Sequence, residues 1–411
     1  MTAISPLAPA RFPDLPPVPG VRLAAAEARL RYRGRPDLLL ASFAPETTVA
    51  GTLTRSHTAA PPVHWCRALL GEGSGTARAL VVNAGNANAA TGEQGHAAVR
   101  QTADAAAALV GCQANEVYVS STGVIGEQLP VDKLTAALPA LHARFADDAW
   151  PEAAAAILTT DTFPKGASAT AEIDGVPVVI NGIAKGSGMI APNMGTMLAY
   201  VFTDANLPAA ALGPLVRRGV NRSFNAITVD GDTSTNDTCL LFATGAAQHR
   251  RIGRAGDPRL QGFRAALEAV LADLAQQIVR DGEGAQKLVS ITVRGAASEG
   301  AARKLGLAIA NSPLVKTAIA GEDPNWGRIV MVVGRAGVPF EQERLSIWLG
   351  GERAARDGVA DPAFDEPAAA HHMKGQEVEL AVEIGAGPGS ATVWTCDLTH
   401  GYIEINADYR S

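Results

Sequence analysis

Residues 185–198, Lys-Gly-Ser-Gly-Met-Ile-Ala-Pro-Asn-Met-Gly-Thr-Met-Leu, constrain the fold more than any other stretch of the chain. The run is apolar, rich in glycine and broken by Pro192, so it reads as a loop of special backbone shape. It opens onto Thr196-Met-Leu-Ala-Tyr-Val-Phe, a strand-like run. Gly195 permits backbone conformations closed to other residues immediately before a hydroxyl-bearing residue. That is the arrangement a self-cleaving threonine enzyme needs. The Thr196 hydroxyl attacks the preceding carbonyl, the acyl group shifts from N to O, and hydrolysis leaves Thr196 as a new N-terminus. Its freed amine then serves as base for its own hydroxyl.

The rest of the composition bounds the partners. A chain of 411 residues exceeds one small core and suits two lobes. A net charge of −6, with acids and bases interspersed, argues against nucleic acid or an anionic membrane as partner. There is no run of about 18 apolar residues to span a bilayer. The Pro-rich start lacks the charged-then-apolar order of a secretory signal. Cys66, Cys112, Cys239 and Cys396 have no metal-type spacing and fit a reduced, cytoplasmic compartment. No metal site and no bound cofactor are expected.

Strands and helices alternate beyond an irregular lead over residues 1–20. Strands are expected at Leu38–Phe43, Ala79–Val82, Glu116–Ser121, Thr196–Phe202, Thr238–Thr244, Leu288–Arg294, Arg328–Val333, Leu345–Leu349, Glu377–Ile384 and Ala391–Asp397. Ala171–Ile180 reads as a hairpin turning at Asp174-Gly175. Helices are expected after a Thr91–Gln94 capping box, over Val131–Phe145, Asp148–Leu158, Pro208–Asn221 and Pro258–Arg280, and near Ala301–Ala310. Arg250–Asp257 and Asp357–Lys374 are the soft spots. The fold class is α+β or mixed α/β. Its core is a layered helix–sheet–sheet–helix arrangement, with a smaller C-terminal α/β lobe from about residue 285.

Four further segments share the small, polar, Gly-rich character of the opening loop: Asn83–Ala89, Ser120–Glu127, Thr159–Lys165 and the ending Asp397–Ser411. Two lie at expected strand ends, where ligand-binding groups gather. Residues 181–198, together with Thr159–Lys165, Ser121–Gly126, Val229–Asp237, Gly321–Arg328 and Ile405–Tyr409, resemble in order the motifs of the ornithine acetyltransferase family. This is the bifunctional glutamate N-acetyltransferase family of arginine biosynthesis.

The resemblance implies cleavage between Gly195 and Thr196 into an α chain (1–195) and a β chain (196–411). Thr196 then takes acetyl from N-acetylornithine and passes it to glutamate. It implies an oxyanion hole at Thr122 and Gly123 and substrate contacts at Thr162, Lys185, Thr196, Glu283, Asn406 and Ser411. It also implies a heterotetramer of two α and two β chains, and admits acetyl-CoA as a second acetyl donor. Family members usually carry alanine where Gly195 stands, which bears on processing rate.

Simpler readings stand beside these. Thr196 in isolation is an ordinary strand threonine, Lys185 a solvated lysine and Thr122-Gly123 a turn. Gly186-x-Gly188-x-x-Ala191 mimics a dinucleotide fingerprint, but Pro192 stands where a helix is required. Asp230, Asp232 and Asp237 lack calcium-loop spacing and read as structural or site-supporting. His371-His372 reads as a solvated pair in a loop. Ile-Glu-Ile at 403–405 reads as a strand tying down the chain end. The rival functions are an N-terminal-threonine amidohydrolase or peptidase, a non-catalytic amino-acid-binding paralogue, and a family member with another acyl acceptor.

Overall fold

The computed structural model describes residues 3–71, 74–191 and 197–407, so Gly195, Thr196 and Ser411 lie outside the described residues. Three sheets organise the described residues. The first runs Val21–Ala26, Leu38–Phe43, Ala79–Asn86, Val117–Val124, and only its last pair is parallel. The second has six strands in the order Ser74–Thr76, Thr48–Leu53, Thr238–Ala243, Leu198–Thr203, Val176–Lys185, Lys165–Ile173. Its central pair, Thr238–Ala243 with Leu198–Thr203, is parallel, and the others are antiparallel.

Side-chain alternation sets the layers, because successive strand residues point to opposite faces. Leu39, Ala41 and Phe43 of the first sheet meet Leu198, Tyr200, Phe202, Leu240 and Phe242 of the second in one buried cluster. Phe43 stacks on Phe242 with ring centroids 4.4 Å apart. The alternate residues Leu38 and Leu40 face helices Gly92–Val110 and Val131–His142. On the far side, Ala199 and Val201 face helices Ala209–Arg222 and Gln261–Arg280. The order is helix, sheet, sheet, helix. A third six-stranded sheet is built from strands between Leu288 and Cys396 and packs its own core against helices Glu299–Ala310 and Trp326–Arg335.

Several local expectations are corrected. Arg328–Val333 is helical, inside Trp326–Arg335, with Ile329, Val332 and Val333 buried on one face and Asn325 capping the start by accepting the Arg328 N–H. The spacing i, i+3, i+4 outweighs the β-branched composition. Residues 403–405 belong to helix His400–Ala407, none of whose residues is buried. The soft spot at 357–374 contains helix Glu366–Met373, and His372 there accepts the Glu379 N–H at Nε2 rather than lying free. The Thr91 hydroxyl donates to Asn88 instead of capping its helix, so the capping box is not formed. Helix Pro61–Leu70 was not expected; its prolines occupy the first turn, where a missing N–H is harmless.

The lead packs along the second sheet. Phe12 lies against Gly166, Asn181 donates to the Pro16 carbonyl at 2.6 Å, and Ser5 N–H donates to Thr162 Oγ1 at 2.9 Å. Among the described residues no helix is long and apolar enough to cross a membrane.

Candidate active site

The first two sheets deliver their strand ends to one place. The parallel strands Ala79–Asn86 and Val117–Val124 finish at Asn83–Ala87 and Thr122-Gly123, and Val176–Lys185 finishes at Lys185. A cavity of ≈ 130 Å³ opens there, lined by Thr122, Gly123, Thr159, Lys185, Glu283 and Asn406 among others.

Gly123 has φ +130°, and a Cβ there would lie 2.5 Å from the Asn86 nitrogen, so this close strand crossing requires glycine. Gly188 does the same for Glu283, whose carboxylate occupies the space a Cβ would fill.

Lys185 is buried, and its Nζ donates to Thr159 Oγ1 at 2.8 Å and Thr122 Oγ1 at 3.4 Å. Burial lowers its pKa from the usual lysine value; Asp161, Glu283 and Asp237 pull it back up, and Lys165 lowers it further. Glu283 sits on the loop following helix Gln261–Arg280, and its Oε2 accepts from Asn406 Nδ2 at 2.8 Å. Burial raises its pKa, with the Asn406 and Thr160 hydrogen bonds opposing. The cavity therefore holds a cation and an anion on separate walls, with neutral donors between.

A buried charge network fixes this arrangement from behind. Lys165 has 0% exposure and donates to Asp161 Oδ1 at 2.7 Å and Asp281 Oδ2 at 2.6 Å. Asp161 also accepts the Gly186 N–H at 2.6 Å and the Thr159 N–H at 3.0 Å, and it lies 3.8 Å from Lys185 Nζ. One carboxylate thus orients both the Gly-rich loop and the threonine that receives Lys185. Asp161 is held well below the ordinary carboxylate range: burial opposes this, and Lys165 and Lys185 overcome it.

The loop from Val229 to Asp237 closes the other side. Asp230 accepts the Met189 and Ile190 N–H groups, and Asn236 Nδ2 donates to the Ala87 and Ser121 carbonyls at 2.7 and 2.9 Å. Asp237 is buried and accepts the Met197 N–H at 2.9 Å, one residue past Thr196. Burial raises its pKa well above the usual value, against the pull of the Met197 N–H, the Thr54 hydroxyl and Lys185.

The ArgJ family model matches residues 22–411. The arginine biosynthesis bifunctional protein ArgJ of Nitrobacter winogradskyi is 55% identical over 415 residues, covering 100% of both chains. That of Rhizobium meliloti is 55% identical over 412 residues, covering 100% of this chain and 99% of its own. The chain belongs to the ArgJ family. A crystal structure of arginine biosynthesis bifunctional protein argJ from Bacillus halodurans is 40% identical with a TM-score of 0.50, covering 52% of this chain and 100% of its own.

Within this ArgJ-family chain, the expected residues Thr122, Gly123, Lys185, Glu283 and Asn406 meet at the one cavity. Thr162 does not line it. Its hydroxyl is given to Asp281 Oδ1 at 2.5 Å and accepts from Ser5, while Thr159 and Thr160 face the cavity instead. Asp161, Lys165, Asp281 and Asn236 were not singled out. Three of them stand in segments marked as motifs, but their partners lie up to 149 positions away, beyond any local signal.

Proposed function

We propose that the chain moves an acetyl group from N-acetylornithine to glutamate in arginine biosynthesis, through an acetyl ester on Thr196. The carrying observation is the convergence of Lys185, Thr122-Gly123, Glu283 and Asn406 on one cavity, beside the strand that begins just after Met197. The names of the relatives, each a bifunctional protein of arginine biosynthesis, support the same reading.

The chemistry proceeds in two halves. The Thr196 amine takes the hydroxyl proton as Oγ attacks the acetyl carbonyl. The Thr122 hydroxyl and the Gly123 N–H steady the oxyanion. Thr122 Oγ already accepts from Lys185, which leaves its own proton to donate. The C–N bond breaks, the amine leaves with the proton, and ornithine departs. Glutamate's amine then attacks the ester and regenerates Thr196. Lys185 pairs with a substrate carboxylate and Glu283 with the ornithine side-chain amine, with Asn406, Ser411 and Thr162 assisting, Thr162 through Asp281.

Cleavage between Gly195 and Thr196 creates the amine and divides the chain into 1–195 and 196–411, which assemble as two α and two β chains. The Bacillus halodurans chain, matched end to end by 52% of this one, accords with such a division. A cytoplasmic setting accords with four free cysteines. The test compares wild type with Thr196→Ala by intact mass and by acetyl transfer. Wild type is expected as two fragments with activity and the variant as one inactive chain. Acetyl delivered to water faster than to glutamate would favour an amidohydrolase instead.

A further inference from the structure

Among the described residues lining the active cavity, Ala87, Ile125 and Met189 carry apolar side chains, and the rest are polar, charged or glycine. Met189 follows Gly188, which packs on the Glu283 carboxylate, and its N–H goes to Asp230, so it belongs to the anionic wall. Ala87 and Ile125 lie together elsewhere. Strands Ala79–Asn86 and Val117–Val124 pair in parallel up to Asn86 and Val124, and the Ala87 N–H then donates to the Val124 carbonyl at 2.9 Å. Both residues therefore stand directly beyond the Thr122-Gly123 pair.

This apolar wall is stiff. The Ala87 carbonyl accepts from Asn236 Nδ2 at 2.7 Å, so both backbone groups of Ala87 are held. Ala60 and Ala89 pack behind it with 0% exposure, and Ile125 completes the cluster. The Gly126 N–H donates to the Ala89 carbonyl at 2.9 Å, and the Ala60 N–H to the Thr235 carbonyl at 2.9 Å. These bonds pin the loop after Val124 and the start of helix Pro61–Leu70 around the cluster. A close-packed wall has little slack for an added methylene. Ala87 is already minimal, and half-buried Ile125 supplies the bulk.

An N-acylornithine presents polar groups to polar partners: its carbonyl oxygen to Thr122-Gly123, its carboxylate to Lys185 and its side-chain amine to Glu283. What is left is the acyl chain beyond the carbonyl carbon, and the apolar surface next to the oxyanion pair belongs to Ala87 and Ile125. We propose that Ala87 and Ile125 gauge the length of the acyl group, admitting acetyl and excluding propionyl and longer chains. The proposal rests on the acetyl-transfer reading and adds the residues that set its donor specificity. A closed apolar pocket discriminates a single methylene by about 10- to 200-fold. Ile125→Ala removes at least as much carbon as butyryl adds to acetyl, and Ile125→Val removes a single methylene.

The test compares kcat/KM for transfer to glutamate from N-acetyl-, N-propionyl- and N-butyrylornithine, read by mass spectrometry of the N-acylglutamate formed. The proteins are wild type, Ile125→Ala, Ile125→Val and Met189→Ala. Wild type should favour acetyl over propionyl by about tenfold or more. Ile125→Ala should raise the butyryl-to-acetyl ratio about tenfold or more, and Ile125→Val the propionyl-to-acetyl ratio about threefold or more. Met189→Ala should leave both ratios within about twofold. General damage to the site lowers turnover of all donors alike and leaves the ratios in place, so the ratios report the gauge itself. The small change Ile125→Val keeps the test decisive if Ile125→Ala misfolds. Unmoved ratios in the folded Ile125 variants would overturn the proposal. So would a wild type that takes propionyl as readily as acetyl, or an equal shift in Met189→Ala. No transfer from any donor by wild type would sink the acetyl-transfer reading and the gauge with it, whereas transfer with unmoved ratios sinks the gauge alone.

Discussion

Lys165 has 0% exposure and sits between two carboxylates, so its worth is set by what remains when it is removed. Lys165→Met leaves Asp161 and Asp281 buried without their cation, and chemical denaturation should show a loss of about 3–5 kcal/mol. Gly123→Ala places a methyl against the Gly85–Asn86 backbone at φ +130°, and turnover should fall far more than expression. Glu283 supplies a pH test. Burial raises its pKa, so on acidification it loses its charge at a higher pH than an exposed glutamate would. The neutral form no longer attracts the ornithine amine. KM for N-acetylornithine should therefore rise as pH falls through that region, and Glu283→Gln should show a raised KM without that acidic limb. At this scale the meeting of residues at one cavity was readable where a motif and a strand end coincide, as at Thr122-Gly123 and Lys185. It was not readable in the choice between Thr162 and its neighbours. That Thr162 turns from the cavity while Thr159 and Thr160 line it depends on Asp281, 119 positions away.

Elements follow the same division between local and distant causes. Strand Leu38–Phe43 falls where its largely apolar run, interrupted only by Ser42, predicts, because both its faces are covered. Asp174-Gly175 turns its hairpin with both residues at positive φ, as that pair prefers. Helix Trp326–Arg335 was misread because a β-branched run conceals a helical spacing that only packing on the third sheet reveals. Thr91 illustrates the reverse failure, a capping signature diverted by a nearer acceptor in Asn88. Strand Leu198–Thr203 carries the sharpest prediction here. Phe202 is buried at the sheet–sheet interface beside Phe43, Trp150 and Phe242, so Phe202→Ala should cost about 3–5 kcal/mol in a denaturation experiment.

Across the whole molecule, two facing sheets bring strand ends from both halves of the sequence to a single cavity. The layer order was legible because near-continuous apolar strands, such as Leu38–Phe43 and Thr238–Ala243, need cover on both faces. The charge network was not, since it is assembled from residues that only the completed fold brings together. The central claim concerns one covalent bond, and it is tested most directly by incubating the protein with labelled N-acetylornithine without glutamate, then mapping the label by peptide mass spectrometry. The account predicts one acetyl group on a peptide whose first residue is Thr196, discharged on adding glutamate. Label on any other residue, or none on a protein that still transfers acetyl, would contradict it.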